Sequence, residues 1–139
     1  LAVELFLDTS GTILVNEVAP RTHNSGHHTI EVNVTSQFEQ HLRTVLDLPL
    51  GSTAPVHAVG AMVNIVGTAD AQGTPDYKGI DVALATEGVH PHLYGKSQVK
   101  PFRKMGHVTI TGGSREEVLE RMMRIREQLA VEGKQAPSA

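Results

Sequence analysis

Residues 12–28 have the sequence TILVNEVAPRTHNSGHH, and the rest of the chain is organised around this stretch. Thr12–Val15 is an apolar run typical of a strand, and Pro20 ends regular pairing because proline has no N–H to donate to a ladder. The loop that follows, residues 21–28, carries an arginine, three histidines, an asparagine and a serine around one glycine. A simple turn needs only one or two such groups. A loop this polar at a strand end is typical of sites that hold anions or metal ions.

The residues before and within this stretch predict a β-hairpin. Leu1–Leu7 is expected to form the first strand, Asp8–Gly11 the turn and Thr12–Val18 the returning strand. The apolar residues that alternate along both strands are expected to line a buried face, which would contain Val3, Leu5, Leu7, Leu14 and Val18.

The other face of this hairpin carries two glutamates. If the strands pair from Leu7 and Thr12 onward, Glu4 and Glu17 become diagonal neighbours with their Cβ atoms roughly 7 Å apart. That separation suits two carboxylates that converge on a hard cation such as magnesium. The alternative is that both glutamates lie on a solvated hairpin face.

Two helices have clear start signals. Ser36 with Glu39, and Ser114 with Glu117, form capping boxes. The first helix is expected to run to Asp47, and residues 29–34 before it fit either a short helix or a strand. The second helix carries an apolar stripe at helical spacing, made of Val118, Met122, Ile125 and Leu129.

Strands are predicted between the two helices. Ala58–Val66 is apolar enough for a buried strand, and His107–Thr111 alternates as a strand should. Val89–Tyr94 is expected at a sheet edge, because Pro91 cannot donate to a ladder. Asp76–Thr86 is expected to form a short helix.

A basic segment lies between Glu87 and Glu116, where the chain has no acidic residue. It contains five cationic residues, namely Lys96, Lys100, Arg103, Lys104 and Arg115. Lysine and arginine without local counter-ions indicate an anion site, and phosphate is the usual anion. The alternative is a flexible basic loop at the surface.

The composition excludes several functional classes. The formal charge of −3 argues against a general nucleic-acid binder, and the absence of cysteine excludes both a disulfide framework and a thiolate zinc site. No apolar run approaches the length of a membrane span, and no signal peptide opens the sequence. Because Leu1 already lies in a strand-like run, we expect a fragment that starts in mid-protein.

Five separated segments carry a family resemblance. They are Asn16–Arg21, His23–His27, Thr35–Glu39, His92–Lys96 and Arg103–Thr109. Together, and in this order, they closely resemble the N5-carboxyaminoimidazole ribonucleotide synthases, ATP-grasp enzymes of purine biosynthesis. The resemblance covers nearly the whole chain.

The resemblance implies an α+β fold in two parts. Residues 1–50 would be the C-terminal portion of an ATP-grasp domain, with antiparallel strands and helices. Residues 51–132 would be a small α+β C-terminal domain, and residues 133–139 a frayed tail. Two positions depart from the family pattern: Thr22 stands where the family usually has proline, and Phe102 where it usually has glycine. Phe102 adds bulk beside Arg103, whereas Thr22 loosens the backbone.

The resemblance also implies a reaction. Enzymes of this family use ATP and bicarbonate to carboxylate 5-aminoimidazole ribonucleotide on its exocyclic amine, through carboxyphosphate. Glu4 and Glu17 would hold magnesium, and Asn16 together with Glu17 would contact ATP.

Other residues would bind the remaining substrates. By the same resemblance, Arg21, His23 and Asn24 would form the catalytic pocket for bicarbonate and carboxyphosphate. Lys96 and Arg103 would bind the 5′-phosphate of the ribonucleotide. The implied protein is a cytoplasmic homodimer with no nucleic-acid or membrane partner. It would need the missing N-terminal part of the same enzyme, so the isolated chain is expected to be inactive.

Three alternatives remain open. The chain could belong to a fused phosphoribosylaminoimidazole carboxylase, with a further catalytic domain beyond Ala139. It could belong to another ATP-grasp ribonucleotide ligase, such as the formate-dependent glycinamide ribonucleotide transformylase, which has a similar Pro-Arg-x-His loop. A non-enzyme alternative is a metal-binding module built on His23, His27 and His28.

Overall fold

The computed structural model describes residues 1–134 and divides the chain into two compact units, the first of which is Leu1–Ala54. The second unit begins at Pro55, whereas the sequence placed the boundary after Leu50. The last five residues of the expected tail over 133–139 lie outside the described residues. No helix in residues 1–134 is long and apolar enough to cross a membrane.

The first unit opens with the expected hairpin, made of β1 (Ala2–Leu7) and β2 (Ile13–Ala19). Asp8 and Thr12 close the hairpin, so its loop has three residues (9–11), one fewer than the predicted turn Asp8–Gly11. The Asp8 N–H donates to the Thr12 carbonyl at 3.0 Å, and the Asp8 carboxylate accepts from the Thr12 N–H at 2.8 Å. Gly11, with φ of 84°, supplies the left-handed residue that a three-residue hairpin loop requires.

The register of the hairpin differs from the expected one. Because the turn is shorter, Leu7 lies opposite Ile13. A β-bulge then leaves Asn16 as the extra residue of β2, so that Glu4 lies directly opposite Glu17. The expected diagonal arrangement of the two glutamates is therefore wrong, since both the turn length and the bulge change the pairing.

The apolar face of the hairpin is also not buried as expected. Its predicted members are all more than half exposed, namely Val3 (54%), Leu5 (51%), Leu7 (72%), Leu14 (51%) and Val18 (55%). A two-stranded ribbon has too little apolar surface of its own to bury a face, so burial requires a further layer.

Short helical elements complete the first unit. They are a 3₁₀ turn at Asn24–Gly26, α1 at Thr29–Val32 and α2 at Gln37–Val45. The undecided residues 29–34 thus contain a short helix. The predicted cap of α2 is confirmed, because the Ser36 hydroxyl accepts a hydrogen bond from the Glu39 N–H at 3.2 Å. The helix ends before Asp47, which has a positive φ of 54°.

Between residues 55 and 134, the second unit contains two antiparallel sheets and two helices. Its elements are β3 (Val59–Val66), β4 (Thr74–Lys78), α3 (Ile80–Ala85), β5 (Val89–Leu93), β6 (Lys104–Gly112), α4 (Arg115–Gln128) and β7 (Ala130–Lys134). One sheet has the order β3–β6–β5, and β4 pairs with β7 in the other. Strands and helices therefore mix in both units, which confirms the predicted α+β class with antiparallel strands.

The packing of this unit follows the predicted patterns at most positions. β6 is central and largely buried, and β5 with Pro91 lies at the edge. On α4, Val118 and Ile125 are buried, and the rest of the predicted stripe packs against the same core.

The expected helix over Asp76–Thr86 is wrong in its first half. β4 occupies those residues as a strand, and Gly79, with φ of 69°, separates it from α3. The strand is held by β7, which also extends the paired structure through Lys134 into the expected tail. Asp76 joins the two strands, with ion pairs to Lys78 at 2.7 Å and Lys134 at 3.1 Å. Such a pairing between distant segments leaves no local sequence signal.

Glu117 should make the stability of the second unit depend on pH. The Gly113 N–H, which donates to Glu117 at 2.8 Å, and then Arg121 lower the pKa of its carboxyl below 4.5. A lowered folded-state pKa gives a stabilising contribution that is present above the unfolded pKa and lost as the pH falls through the folded one. Glu117→Gln should therefore be less stable than the wild-type chain at neutral pH, and the difference should shrink in acid.

Urea unfolding of the 139-residue chain across this pH range would measure the effect. Glu116→Gln, which removes the same charge from the same helical turn, is the control. An equal, pH-independent loss in both variants would contradict the role given to Glu117.

Candidate functional site

The bulge in β2 brings three polar side chains together near the middle of the hairpin. In a regular strand, Asn16 and Glu17 would point to opposite faces, but a bulge re-aims one of its residues. The Asn16 amide donates to the Glu4 carboxylate, and Glu17 lies directly across from Glu4. The structure therefore brings together the three residues that were expected to contact magnesium and ATP.

His23 joins this cluster from the loop after β2. Its Nε2 lies 2.7 Å from a Glu17 carboxylate oxygen, and its Nδ1 lies 3.9 Å from Glu4. The Ser25 N–H points to Nδ1 at 3.3 Å, and the Ser25 hydroxyl lies 2.8 Å from the same atom. Because a backbone N–H can only donate, Nδ1 is an acceptor, and the neutral ring carries its proton on Nε2. His23 thus donates to the carboxylate of Glu17.

The two carboxylates of this cluster form a candidate cation site. Glu4, Glu17 and His23 each offer one ligand atom, and the three atoms lie within 4.8 Å of one another. Two like charges directly opposite on a hairpin repel each other, and a divalent cation would remove that repulsion. The two carboxylates fit a hard divalent ion. Because His23 donates its Nε2–H to Glu17, it supports this site through that carboxylate.

The other predicted catalytic residues lie near this cluster in sequence but contribute differently. The Arg21 guanidinium donates to the Thr22 carbonyl at 2.9 Å and lines a cleft of about 380 Å³ in the first unit. Asn24 begins the 3₁₀ turn and accepts from the His27 N–H through its carbonyl. Within the described residues 1–134, the side chains of Arg21 and Asn24 form no hydrogen bond to Glu4 or Glu17.

Gln37 also belongs to the site, although it was not among the predicted site residues. Its side-chain amide accepts from the His23 N–H at 2.9 Å and donates to the His23 carbonyl at 2.6 Å. The only local sequence signal was its position as the first residue of α2, directly after the cap Ser36.

The three loop histidines do not form a metal site together. His28 contacts the Ser25 carbonyl at 2.8 Å, and His27 packs against Phe38 with ring centroids 5.4 Å apart. Within residues 1–134, only His23 belongs to a group that could hold a metal ion. This arrangement argues against the histidine-module alternative.

The predicted phosphate-binding residues lie in the second unit, in the loop between β5 and β6. The Lys96 ammonium donates to the Lys104 carbonyl at 2.5 Å and lies 5.5 Å from the centroid of the Tyr94 ring. The Arg103 guanidinium donates to the Gln98 carbonyl at 2.8 Å and is exposed. Both cationic groups are therefore held by the backbone of their own loop.

The buried side chain of His107 packs beneath the start of this loop, at Tyr94. The Tyr94 hydroxyl lies 3.0 Å from His107 Nδ1, and the His107 ring stacks on His92 at 4.5 Å. Burial raises the pKa of Tyr94, so the hydroxyl stays protonated at neutral pH. Val99, which is 1% exposed, anchors the middle of the loop.

Phe102 adopts a backbone conformation that suits glycine. Its φ is 58°, a region where a Cβ atom is costly, and its side chain is 72% exposed. The departure from the family pattern therefore places a Cβ atom in a strained backbone conformation.

Comparisons with known proteins identify two matching domains in the chain. Residues 1–38 match the ATP-grasp domain, and residues 60–121 match the phosphoribosylaminoimidazole carboxylase C-terminal domain. A crystal structure of N5-carboxyaminoimidazole ribonucleotide synthetase from Thermotoga maritima is 48% identical, with a TM-score of 0.90 over 95% of this chain and 36% of that one.

The chain belongs to the N5-carboxyaminoimidazole ribonucleotide synthase family.

Two further relatives extend the comparison. The Aspergillus clavatus enzyme, solved in complex with ADP and 5-aminoimidazole ribonucleotide, is 36% identical, with a TM-score of 0.78 over 90% of this chain and 33% of that one. Phosphoribosylaminoimidazole carboxylase of Schizosaccharomyces pombe is 50% identical over 83% of this chain and 21% of the relative. The chain spans about a fifth to a third of the length of the curated synthase and carboxylase relatives it matches.

The strain at Phe102 gives a testable prediction. Phe102→Gly should stabilise the second unit by about 0.5–1 kcal/mol, because glycine adopts a positive φ without a Cβ clash. Gly95→Ala is the matched control of opposite sign. Gly95 has φ of 64° and open space around its Cα, so alanine there should cost about 1 kcal/mol from backbone strain alone. Thermal unfolding of both variants measures the effect, and a destabilised Phe102→Gly would contradict it.

Proposed function

We propose that this chain is the C-terminal part of an ATP-dependent ligase that carboxylates 5-aminoimidazole ribonucleotide with ATP and bicarbonate. The observation that carries the proposal is the direct opposition of Glu4 and Glu17, with His23 donating to one of them. Two carboxylates that repel each other and a histidine beside them would form one wall of a site for a metal–nucleotide complex.

The carboxylates would act on the phosphates of ATP. Glu4 and Glu17 would hold Mg²⁺, which when bound offsets the charge that develops on the transferred γ-phosphoryl group. Asn16, fixed by its hydrogen bond to Glu4, would present its amide on the same side of the hairpin.

The loop after β2 would bind bicarbonate and then carboxyphosphate. His23 carries an Nε2–H donor, and Arg21 and Asn24 add a guanidinium and an amide within the same loop. Preorganised donors of this kind stabilise negative charge as it develops on a carboxylated phosphate. In this proposal their task is electrostatic, and attack by the ribonucleotide amine on carboxyphosphate releases inorganic phosphate.

The basic loop of the second unit would bind the 5′-phosphate of the ribonucleotide. Lys96 and Arg103 lie in one loop, and their charged groups are already held by local carbonyls. A phosphate offers these donors a stronger, charged acceptor than a carbonyl does.

Support for the substrates comes from a relative. The Aspergillus clavatus enzyme was solved with ADP and 5-aminoimidazole ribonucleotide bound, and this chain aligns with a third of it. We further propose a cytoplasmic homodimer that includes the N-terminal part of the same enzyme. A fused carboxylase is the second candidate, because the Schizosaccharomyces pombe carboxylase is 50% identical over the aligned residues.

The isolated 139-residue chain should not hydrolyse ATP with bicarbonate and 5-aminoimidazole ribonucleotide. It spans only about a third of the similar synthase structures, and a nucleotide must be enclosed on several sides for phosphoryl transfer. Phosphate release by purified chain, freed of host enzymes, measures this. Turnover by the chain alone would contradict the proposal that it needs an N-terminal part.

In the full-length enzyme that contains this segment, Glu17→Gln should lower turnover by roughly a hundredfold or more, because the variant keeps its shape but loses the charge that holds the metal. Steady-state kinetics at saturating magnesium measures the change. The control is Glu39→Gln on α2, which removes an exposed ion pair with Arg43 and should have little effect. Near-normal turnover of Glu17→Gln would return this residue to a solvated hairpin face.

Arg103→Ala should weaken binding of the ribonucleotide by roughly ten- to a hundredfold, since each charge-assisted hydrogen bond is worth about 1.5–3 kcal/mol. The Michaelis constant for ATP should barely move. Lys96→Ala should act in the same way but more mildly, because an ammonium is a point donor and a guanidinium a fork. Arg124→Ala, an exposed arginine on α4, is the control. Equal rises in the Michaelis constants for ATP and for the ribonucleotide, or no rise in either, would rule out phosphate binding by Lys96 and Arg103.

A further inference from the structure

The side-chain amide of Gln37 binds the backbone of His23 from both sides. Its oxygen accepts from the His23 N–H at 2.9 Å, and its nitrogen donates to the His23 carbonyl at 2.6 Å. The second N–H of the same nitrogen lies 3.0 Å from His27 Nδ1. All three hydrogen-bonding groups of the amide are therefore used within the loop that carries His23.

Gln37 itself is held in place by its surroundings. Its backbone N–H donates to the Thr29 hydroxyl at 2.9 Å, and that hydroxyl donates to the Gly26 carbonyl at 2.6 Å. A Cβ atom at Gly26 would come within 2.6 Å of the Gln37 side-chain oxygen, so the loop packs closely against the amide. The half-buried side chain has little freedom to move.

We call the two hydrogen bonds between the Gln37 amide and the His23 backbone the clamp. The clamp fixes His23, whose ring lies against Glu4 and Glu17. With its backbone held on both sides, His23 caps the 3₁₀ turn, and the Ser25 N–H meets its Nδ1. That contact leaves the proton on Nε2, where it is donated to Glu17. We propose that Gln37 is a positioning residue, which sets the place and the tautomer of His23 for the carboxylation reaction. The kinetic part of this inference rests on the proposed function.

The chain contains a matched control for this interaction. Gln40, one turn further along α2, binds the backbone of Gly51 in the same two-ended way, with 2.6 Å to the Gly51 carbonyl and 3.0 Å from its N–H. In both cases, a half-buried side-chain amide bonds to the N–H and the carbonyl of one residue. Of the two, only Gln37 bonds to the loop that carries His23.

The kinetic test compares Gln37→Met with Gln40→Met in the full-length enzyme. Both should lose thermal stability, because each loses two hydrogen bonds to a backbone, and Gln37→Met also loses the contact with His27. Gln37→Met should also lower kcat by roughly ten- to a hundredfold, as expected for a misplaced group, while the Michaelis constant for ATP stays within about twofold. Gln40→Met should keep the wild-type kcat. Equal kcat values in the two variants would contradict a positioning role.

Gln37→Glu provides a second variant that should fold. A carboxylate in the first turn of α2 is favourable for the helix, and it retains the acceptor for the His23 N–H while losing the donor to the His23 carbonyl. Because a carboxylate oxygen would then face the His23 carbonyl, its kcat should fall below that of the wild type. A kcat equal to that of the wild type would show that the donor half of the clamp has no effect.

A spectroscopic test on the 139-residue chain is independent of the reaction. In ¹⁵N spectra of the neutral imidazole, the wild-type His23 ring should be protonated on Nε2 alone, and Gln37→Met should show both tautomers. The His23 amide should also exchange with solvent about tenfold faster in that variant. Unchanged spectra and exchange would overturn the inference. If the full-length enzyme does not carboxylate the ribonucleotide, the proposed function fails, and these spectra still decide the role of Gln37.

Discussion

The candidate site depends on one electrostatic constraint, which is that two carboxylates face each other across a two-stranded hairpin. Glu4 lies directly opposite Glu17, an arrangement that destabilises an antiparallel pair when both are charged. Local partners reduce the repulsion, because Asn16 donates to Glu4 and His23 to Glu17. A divalent cation between them would remove it. In this account, the bulge at Asn16 and the loop after Pro20 exist to keep these donors on one side of the hairpin.

Local rules made much of the fold predictable from the sequence. The caps at Ser36 and Ser114 and the stripe on α4 depend on residues within a few positions of one another, and the structure confirms them. The edge position of β5 follows from Pro91 for the same reason. The pairing of β4 with β7 could not be predicted, because it joins segments more than 50 residues apart and overrides the local preference.

In the site, too, the residue types were predictable from the sequence, whereas contacts that depend on pairing and tertiary packing were not. The acidic and histidine residues were identified from their types and from a family resemblance, but their geometry was not. A turn one residue shorter and one bulge were enough to replace a diagonal pair with a direct one. Gln37 was missed because its role is a tertiary contact to His23, 14 residues away, which no helix or strand period encodes. Phe102 illustrates the reverse case: the resemblance identified the position, and the positive φ explains why glycine suits it.

The most direct test of the central claim is paramagnetic broadening by Mn²⁺, which detects even weak binding. Substoichiometric Mn²⁺ would be added to the ¹⁵N-labelled 139-residue chain, and the broadening of each amide would be recorded with and without excess Mg²⁺. The account predicts that broadening is centred on Glu4, Glu17 and His23, that Mg²⁺ reverses it and that Glu17→Gln abolishes it there. Broadening centred on another acidic segment, such as the start of α4, or unchanged in Glu17→Gln, would contradict the claim that the opposed glutamates form a divalent-cation site.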